Sequence, residues 1–480
     1  MSEQTRQAGV TAPGPKFRPV LQQALLHALS YLENLDRAPV SASASLDELR
    51  ARLDRPLADA GVDAVTVIDD IVEDASGGVL GSAGGRFFGW VIGGSVPAAL
   101  AADWLVSAWD QNAAIHACGP AVAVMEEIAG KWLKDLLRLP PDAAFAFTTG
   151  SQLAHATGLA AARHALLARY NWDVERCGLA GAPQIRILAG DQRHGSVERA
   201  VRLLGLGSDN VVDLPVDAQG RLAPDALAAA LGGGSDAPTI VIVQAGELNT
   251  GAFDPFVDLI PLAHRYGAWV HVDGAFGLWV NASPTHRHLL DGVESADSWA
   301  VDGHKWLNVP YDSGYALVRN PEALRHAVSH RTTYTMFVED ARDQIDWNLE
   351  WSRRARGVAT YAAIRQLGRQ GIADLVERTC RHAEVLVTRI GALPGAEVAW
   401  RPTINQGLVR FLSREPNATS ADHDARTDEV IARILKTGGA FFGGVTWRGT
   451  RCMRVSVCNW QTSNEDVDRA VAAVELALNS

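Results

Sequence analysis

The sequence predicts an α/β fold: a large domain with a mainly parallel sheet, a small C-terminal α/β domain and a helical N-terminal segment. Two short and mostly apolar runs, residues 268–272 and 298–301, are typical of buried parallel strands. Each run is followed by an aspartate and a glycine. Stretches with helical periodicity lie between such runs, as expected for a sheet covered by helices.

Composition narrows the class of protein. The chain has 480 residues, of which 47% are hydrophobic and 21% charged, which is typical of soluble globular proteins and excludes disordered and fibrous classes. The net charge of −11 argues against nucleic acid as the main partner. The five cysteines are scattered without Cys-x-x-Cys spacing, so we expect reduced thiols and no metal site.

No membrane segment is predicted. The most apolar stretch, residues 96–109, contains Asp103 and is shorter than the ~20 residues that a bilayer requires. The N-terminal residues lack the apolar core of a secretory signal. We therefore expect a cytoplasmic protein.

The N-terminal segment is predicted to contain helices at 17–35 and 46–53, because apolar residues recur there at helical spacing. Residues 81–94 are rich in glycine and aromatic residues, which suits a ligand cleft but equally a packed loop. Ser95 and Pro97 then predict the N-cap and first turn of a helix that reaches about residue 116.

A strand at about 145–147 turns through Gly150, Ser151 and Gln152 into a predicted helix over 153–170. Free backbone N–H groups at a helix N-terminus bind phosphate well, especially where small residues let the anion come close. We therefore predict that Gly150, Ser151 and Gln152 bind a phosphate group. Such turns are common, so this prediction depends on the residues that follow.

Two further strands, 185–189 and 239–244, are predicted to end near polar residues. The imidazole of His194 could stack on a pyridine ring, although a helix-capping role explains a histidine there equally well. Asn249 and Thr250 could hydrogen-bond the phenolic oxygen of such a ring, although small polar residues end many strands.

Asp273 and Lys305 carry the functional hypothesis. The carboxyl ends of parallel strands meet at one edge of the sheet, so both side chains should reach one crevice. A lysine amine can form a Schiff base with an aldehyde, and an aspartate can keep a pyridine nitrogen protonated so that the ring accepts electrons. Pyridoxal phosphate needs both. Either residue alone would be explained as a turn or surface residue.

Residues 271–277, HVDGAFG, and 302–314, DGHKWLNVPYDSG, resemble the signature segments of the group II pyridoxal-phosphate-dependent decarboxylases, which include aromatic-amino-acid and glutamate decarboxylases. Residues 191–197 are similar to the family's Asp-x-x-His-x-Ser-Val stretch, and the resemblance extends over roughly residues 80–480. It implies the aspartate-aminotransferase-like architecture known as fold type I. The domains expected on this basis are 1–79, 80–369 and 370–480.

The resemblance also implies individual roles. Lys305 would be the Schiff-base lysine and Asp273 the partner of the pyridine nitrogen. His194 would stack on the ring, Ala275 would lie against one face of it, and His304 would lie close to the cofactor phosphate.

On the substrate side, Trp90 and Val91 match the family's cleft segment, and the bulky Trp90 favours an aromatic or apolar substrate. Tyr334 falls at the place of a tyrosine on a closing loop that protonates the product, and His194 is the other candidate proton donor. One departure from the family stands out: Leu153, Ala154 and His155 replace the usual Glu or Met followed by Ala-Asn or Ala-Thr. Whether His155 adds a contact is open.

The C-terminal region is predicted to continue the alternation of helices and strands. An arginine-rich stretch at 352–356 opens a helix that reaches about residue 368. The elements expected after it are a helix at 372–390, a strand at 407–412, a helix at 424–436, a strand at 453–457 and a helix at 464–478. Arg454 could contact a substrate carboxylate, but a structural role is preferred.

Together these observations predict a decarboxylase that converts an L-amino acid into the amine and CO2 with pyridoxal phosphate. The family implies a homodimer with the active site near the subunit interface. Other reactions of the same cofactor, such as transamination, carbon–carbon cleavage or oxidative deamination, remain alternatives, as does a non-catalytic protein that keeps the fold.

Overall fold

The computed structural model describes residues 17–234, 236–331 and 338–480. Its helices are α1 Phe17–Asn34, α2 Leu46–Leu53, α3 Ala64–Asp74, α4 Pro97–Trp109, α5 Pro120–Leu136, α6 Ser151–Ala168, α7 Val174–Cys177, α8 Gly195–Leu203, α9 Pro224–Gly232, α10 Phe256–Arg265, α11 Pro321–Val328, α12 Arg356–Gly391, α13 Ser420–Thr437 and α14 Asn464–Asn479. Its strands are β1 Ala144–Thr148, β2 Arg186–Gly190, β3 Val211–Leu214, β4 Thr239–Gln244, β5 Trp269–Asp273, β6 Ser298–Asp302, β7 Gly314–Val318, β8 Ala396–Trp400, β9 Gln406–Phe411, β10 Gly443–Trp447 and β11 Thr450–Ser456.

Strands β1 to β7 form one sheet in the order β1-β7-β6-β5-β4-β2-β3. Strands β2 to β6 pair in parallel, whereas β7 runs antiparallel between β1 and β6. This confirms the predicted mainly parallel sheet. The strands β1, β4, β5 and β6 are buried along their whole length, as their apolar sequences indicate.

The parallel arrangement decides where the functional residues lie. Turns that follow β1, β2, β4, β5 and β6 all leave from the carboxyl edge of the sheet. They carry the residues predicted to bind the cofactor, at 150–152, 194, 249–250, 273–275 and 304–305. One edge of the sheet therefore gathers these residues, as expected for an α/β protein.

Strands β8 to β11 form a separate antiparallel sheet in the order β10-β11-β9-β8, and its buried residues pack against α12, α13 and α14. The predicted small C-terminal α/β domain is confirmed, although strands β8 and β10 were not predicted. In α12 the backbone of Gly368 is non-helical, with φ 61° and ψ 178°, a conformation that favours glycine. This break supports the predicted boundary between residues 369 and 370, which stays a prediction.

The predicted start and end of α4 were wrong. The N-cap residue is Val96, not Ser95, and no side chain caps the helix. Pro97 occupies the first turn as predicted. The helix ends at Trp109 rather than near His116, because Asp110 adopts a left-handed conformation with φ 48°.

Helices α1, α2 and α3 account for the described part of the helical N-terminal segment. Arg86 ties this segment to the C-terminal domain, since its buried guanidinium donates to the carbonyl oxygens of Asp36 and Ala38 on one side and Gly439 on the other. None of the helices that the structure describes combines the length and hydropathy needed to cross a membrane.

Candidate active site

Asp273 and Asp302 end the neighbouring strands β5 and β6, and Lys305 follows in the next turn. The Lys305 Nζ atom lies 3.0 Å from Asp302 Oδ2, and its side chain is 19% exposed. Asp273 is 6% exposed and its Oδ1 accepts the Ala275 N–H at 3.2 Å. A reachable amine and a buried carboxylate therefore share this edge.

The pKa of the Asp273 carboxyl shows which residues the fold brings close to it. Burial alone raises the pKa of its carboxyl, but His155, His194 and Lys305, with the Ala275 N–H, outweigh burial and lower the pKa below its usual range. The predicted set of Lys305, Asp273 and His194 is thus close enough to interact, and Asp273 is held as a carboxylate.

His194 is the N-cap residue of α8, and its Nδ1 accepts the Ser196 N–H at 3.2 Å. The residue is exposed, so its ring is accessible from solvent. Partial desolvation and the positive charge of Lys305 lower the pKa of His194, against the opposing effect of Asp273. The helix-capping role is thus observed, and stacking on a pyridine ring stays a prediction.

The predicted phosphate-binding turn meets Asp302 directly. The Ser151 N–H, at the first residue of α6, donates to Asp302 Oδ1 at 2.6 Å, and the Ser151 hydroxyl donates to Oδ2. A Cβ atom at Gly150 would lie 3.2 Å from His304 Cε1, so the turn and His304 are adjacent. Gln152 is exposed at the same helix end. A carboxylate therefore binds where a phosphate is expected.

His304 lies between Asp302 and an aromatic ring. Its Nε2 is 3.6 Å from Asp302 Oδ2, its Nδ1 accepts the Ser313 N–H at 3.3 Å, and its ring stacks on Tyr311 with centroids 4.3 Å apart. Burial lowers the pKa of His304, with Asp302 opposing the shift. Burial also raises the pKa of Asp302, but Lys305 and His304 outweigh burial and hold it below its usual range.

Asn249 and Thr250 follow β4 and are held by Glu247. The Glu247 carboxylate accepts the backbone N–H groups of both residues, each at 2.7 Å, and Asn249 Nδ2 at 2.8 Å. The Thr250 hydroxyl donates to the Gln219 carbonyl oxygen at 2.9 Å. The buried Asn249 Oδ1 has no partner within the described residues, so this atom can accept a hydrogen bond from a ligand.

The segment that carries Trp90 and Val91 packs on the lysine. A Cβ atom at Gly93 would lie 1.9 Å from Lys305 O, so only glycine permits this approach. Trp90 is 54% exposed and lies beside Phe441, with ring centroids 5.3 Å apart. Val91 is 4% exposed and belongs to the hydrophobic core. Trp90 can therefore contact a ligand, whereas Val91 supports the segment from behind.

Sequence reasoning missed two residues and set one aside. Asp302 belongs to the motif at residues 302–314 but was assigned no role, and His155 was considered only as a departure from the family. Both residues lie beside the site. Arg454, whose structural role was preferred, is 6% exposed, and burial lowers the pKa of its guanidinium to about 10.

Tyr334 lies outside the described residues. Among those that are described, no group of His, Cys, Asp and Glu side chains is arranged to hold a metal ion.

Comparison with known proteins decides the family. A family model described as the pyridoxal-dependent decarboxylase conserved domain matches residues 47–414, more than half of the chain. The chain belongs to the pyridoxal-dependent decarboxylase family. It is therefore a pyridoxal-phosphate-dependent amino-acid decarboxylase, as predicted.

Relatives of this decarboxylase are named for different substrates and products. It is 24% identical over 462 residues to the aromatic-L-amino-acid decarboxylase of Bacillus atrophaeus, and this alignment covers 94% of this chain and 93% of the relative. It is 28% identical to the cysteine sulfinic acid decarboxylase of Mus musculus, with 82% and 81% coverage. It is 24% identical to the 4-hydroxyphenylacetaldehyde synthase of Rhodiola rosea, with 91% and 90% coverage.

The fold of the decarboxylase is that of its solved neighbours. The crystal structure of Oryza sativa TDC with PLP and tryptamine superposes with a TM-score of 0.90 at 24% identity, over 98% of this chain and 99% of that chain. The predicted fold type I architecture is confirmed.

The residues of this edge fit pyridoxal phosphate. A carboxylate that its surroundings keep ionised, as Asp273 is kept, is the partner a protonated pyridine nitrogen requires. The Lys305 amine is partly exposed beside it, and the first turn of α6 supplies backbone N–H groups that a helix cannot satisfy internally. The decarboxylase therefore holds the chemical groups that the cofactor needs within one site.

Proposed function

We propose that this decarboxylase converts an aromatic or apolar L-amino acid into the corresponding amine and CO2. The observation that carries the proposal is the shared site of Lys305, Asp273 and His194, where Lys305 and His194, together with His155, keep the pKa of the Asp273 carboxyl low against the effect of burial. When bound, pyridoxal phosphate supplies a ring that accepts the negative charge left at Cα after CO2 departs.

Each residue has a distinct task in this proposal. Lys305 holds the cofactor through its amine, and Asp273 holds a proton on the ring nitrogen. His194 and Ala275 orient the ring from its two faces. The cofactor phosphate is bound by the turn before α6, with His304 beside it; the binding residues of the turn are Gly150, Ser151 and Gln152. Asn249 and Thr250 bind the phenolic oxygen of the ring.

The preference for an aromatic or apolar substrate depends on Trp90. Its exposed ring, extended by Phe441, offers an apolar wall on the segment that touches Lys305 through Gly93. The Bacillus atrophaeus relative, named for aromatic amino acids, supports the same class. The cysteine sulfinate relative in mouse is named for an acidic substrate, so the panel below includes acidic amino acids.

The experiment is to supply the purified protein with pyridoxal phosphate, offer a panel of L-amino acids, and quantify CO2, amine and aldehyde. CO2 with an equal amount of amine, from aromatic or apolar substrates, is the expected result. Turnover of acidic substrates alone would refute the proposed specificity. No turnover of any substrate would favour a non-catalytic protein, and a Lys305→Ala variant supplies the inactive control.

A second candidate function is release of an aldehyde instead of an amine, since the Rhodiola rosea relative is named as an aldehyde synthase. We propose that Tyr334 returns the proton to Cα and so favours the amine. A Tyr334→Phe variant is then expected to release less amine per CO2. An unchanged ratio of products would show that Tyr334 does not control this proton transfer.

We also propose that the protein is a homodimer with its active site near the interface. The apolar residues of α1 are exposed in the isolated chain, including Phe17 at 74%, Leu21 at 59% and Leu26 at 62%. An apolar helix face of this kind suits a subunit interface. Light scattering after gel filtration should give twice the chain mass of 51.4 kDa, and a monomer would refute the proposal.

A further inference from the structure

A continuous chain of hydrogen-bonding groups runs through the core behind Asp273. Trp269 Nε1 donates to Ser298 Oγ at 2.9 Å, and Ser298 Oγ lies 2.7 Å from His271 Nδ1. His271 Nε2 lies 2.8 Å from His155 Nδ1, and His155 Nε2 lies 3.7 Å from Asp273 Oδ2. All five side chains are buried. Two histidines thus connect Trp269, at the start of β5, with the Asp273 carboxylate at its end.

The hydrogen positions follow from the partners. Ser298 Oγ accepts the Trp269 N–H, and within the described part of the chain its own hydrogen has only His271 Nδ1 as an acceptor. Burial lowers the pKa of His271 to about 3 and also lowers the pKa of His155, so both rings are neutral. A neutral His271 that accepts at Nδ1 carries its hydrogen on Nε2 and donates to His155 Nδ1. The hydrogen of His155 is therefore on Nε2.

That N–H lies beside Asp273. His155 Nε2 is fully buried and has no hydrogen-bond partner among the described residues. At 3.7 Å, Asp273 Oδ2 is too distant for a hydrogen bond but needs to move by less than 1 Å to accept one. The Ala275 N–H binds the other oxygen, Oδ1, and His194 and Lys305 are more exposed to solvent than the buried His155.

We propose that His155 is a positioning residue for Asp273: its Nε2–H, directed by the chain that begins at Trp269, holds the carboxylate ionised and oriented toward the ring nitrogen of the cofactor. A donor on Oδ2 stabilises the carboxylate relative to the neutral acid. The proton shared with the ring then stays on the nitrogen instead of moving to Asp273. This inference rests on the proposed role of Asp273.

The test uses the holoprotein without substrate, loaded with pyridoxal phosphate carrying ¹⁵N in the ring. In His155→Asn the amide oxygen can accept the His271 N–H, but the shorter side chain holds its own N–H groups away from Asp273, whereas the longer side chain in His155→Gln can bring an N–H to the place of Nε2–H. In His155→Asn the ring ¹⁵N resonance should move toward that of unprotonated pyridine, and the dissociation constant of the cofactor should rise about tenfold. His155→Gln should restore much of both.

His164→Asn is the matched control, because His164 lies on the same helix and pairs with Glu175 at the protein surface. It should leave the ¹⁵N resonance and the cofactor affinity unchanged. If His155→Asn folds with an unchanged melting temperature and keeps the wild-type resonance and affinity, the inference is wrong. Equal changes in His155→Asn and His155→Gln would also contradict it, since only a role that needs an N–H near Asp273 distinguishes the two side chains.

Ser298→Ala decides the matter if the His155 variants do not fold. It leaves His155 in place but removes the hydroxyl that sets the His271 tautomer. The ¹⁵N resonance and the cofactor affinity should therefore change in the same direction as in His155→Asn but by less, about threefold for the affinity. No change in Ser298→Ala would overturn the inference.

The ¹⁵N resonance and the cofactor affinity are measured without substrate. A protein that keeps the ring nitrogen protonated but releases no CO2 when substrate is added would therefore refute the proposed reaction and not this inference. If Asp273→Ala left the resonance unchanged, the role of Asp273 and this inference would both fail.

Discussion

The backbone N–H of Ser151 donates to the carboxylate of Asp302 at 2.6 Å, at the point where α6 begins. This helix end is also where we propose that the cofactor phosphate binds. Helix N-termini favour anions because of their free N–H groups and the helix dipole. In this structure the favoured anion is a side chain, and it also pairs with Lys305 at 3.0 Å.

We therefore expect Asp302→Asn to bind pyridoxal phosphate at least about tenfold more tightly, because removing the carboxylate removes its repulsion of the phosphate dianion. The asparagine oxygen can still accept the Ser151 N–H. Fluorescence titration of the cofactor-free protein measures the affinity, with inorganic phosphate as a competing ligand. Asp142→Asn changes the net charge equally at an exposed position and serves as the control. Weaker binding by Asp302→Asn would show that the carboxylate assists the cofactor.

Asp273→Asn should lower kcat by about 100-fold or more while the protein still binds the cofactor. The amide keeps the shape of the side chain but removes the negative charge that holds the proton on the ring nitrogen. CO2 release at saturating substrate and cofactor is the measurement. Asp258→Asn, an exposed position on the neighbouring α10, is the control. Turnover at the wild-type rate would rule out this role for Asp273.

Glu126 of α5 and Arg353, which lies just before α12, form a fully buried ion pair. Arg353 Nη1 lies 3.0 Å from Glu126 Oε1, which also accepts the Gly357 N–H at 3.1 Å. Glu126→Gln should lower the free energy of unfolding by about 3–5 kcal/mol, since it leaves a buried guanidinium without its countercharge.

Urea denaturation monitored by circular dichroism measures this loss. The exposed pair between Glu127 and Lys131 on the same helix offers the comparison, and Glu127→Gln should cost less than about 1 kcal/mol. If Glu126→Gln and Glu127→Gln lost similar amounts of unfolding free energy, the buried pair would contribute no more to stability than the exposed pair.

The parallel strands and the residues at their carboxyl ends could be predicted from sequence because both leave local patterns. A buried strand is a short apolar run, and Asp273 and Lys305 lie within a few residues of such runs. Strands β8 and β10 of the small sheet are only partly buried, so they lack a continuous apolar run and were not predicted.

Contacts between residues far apart in the chain leave no comparable local pattern in the sequence. His155 and His271 are 116 residues apart, and neither residue indicates by itself that the two rings meet. Asp302 was part of a recognised motif, but its bond to Ser151 depends on β6 and α6 lying side by side. The misplaced N-cap of α4 has a similar cause, since Ser95 uses its carbonyl oxygen to accept the Trp460 Nε1–H from a distant loop.

The buried histidine His271 should make folding stability depend on pH. Its pKa is lowered to about 3 by burial and by the nearby His155, whereas an unfolded histidine titrates at about 6.5. Between these values the unfolded chain binds a proton that the folded protein excludes, so stability is lost as the pH falls from about 6.5 toward 3. The contribution of one such group reaches about 1.4 kcal/mol per pH unit. Urea midpoints measured between about pH 7 and pH 5 should fall less steeply in His271→Asn than in the wild type. His326→Asn, whose side chain is 65% exposed, should keep the wild-type slope, and equal slopes in all three proteins would contradict the assignment to His271.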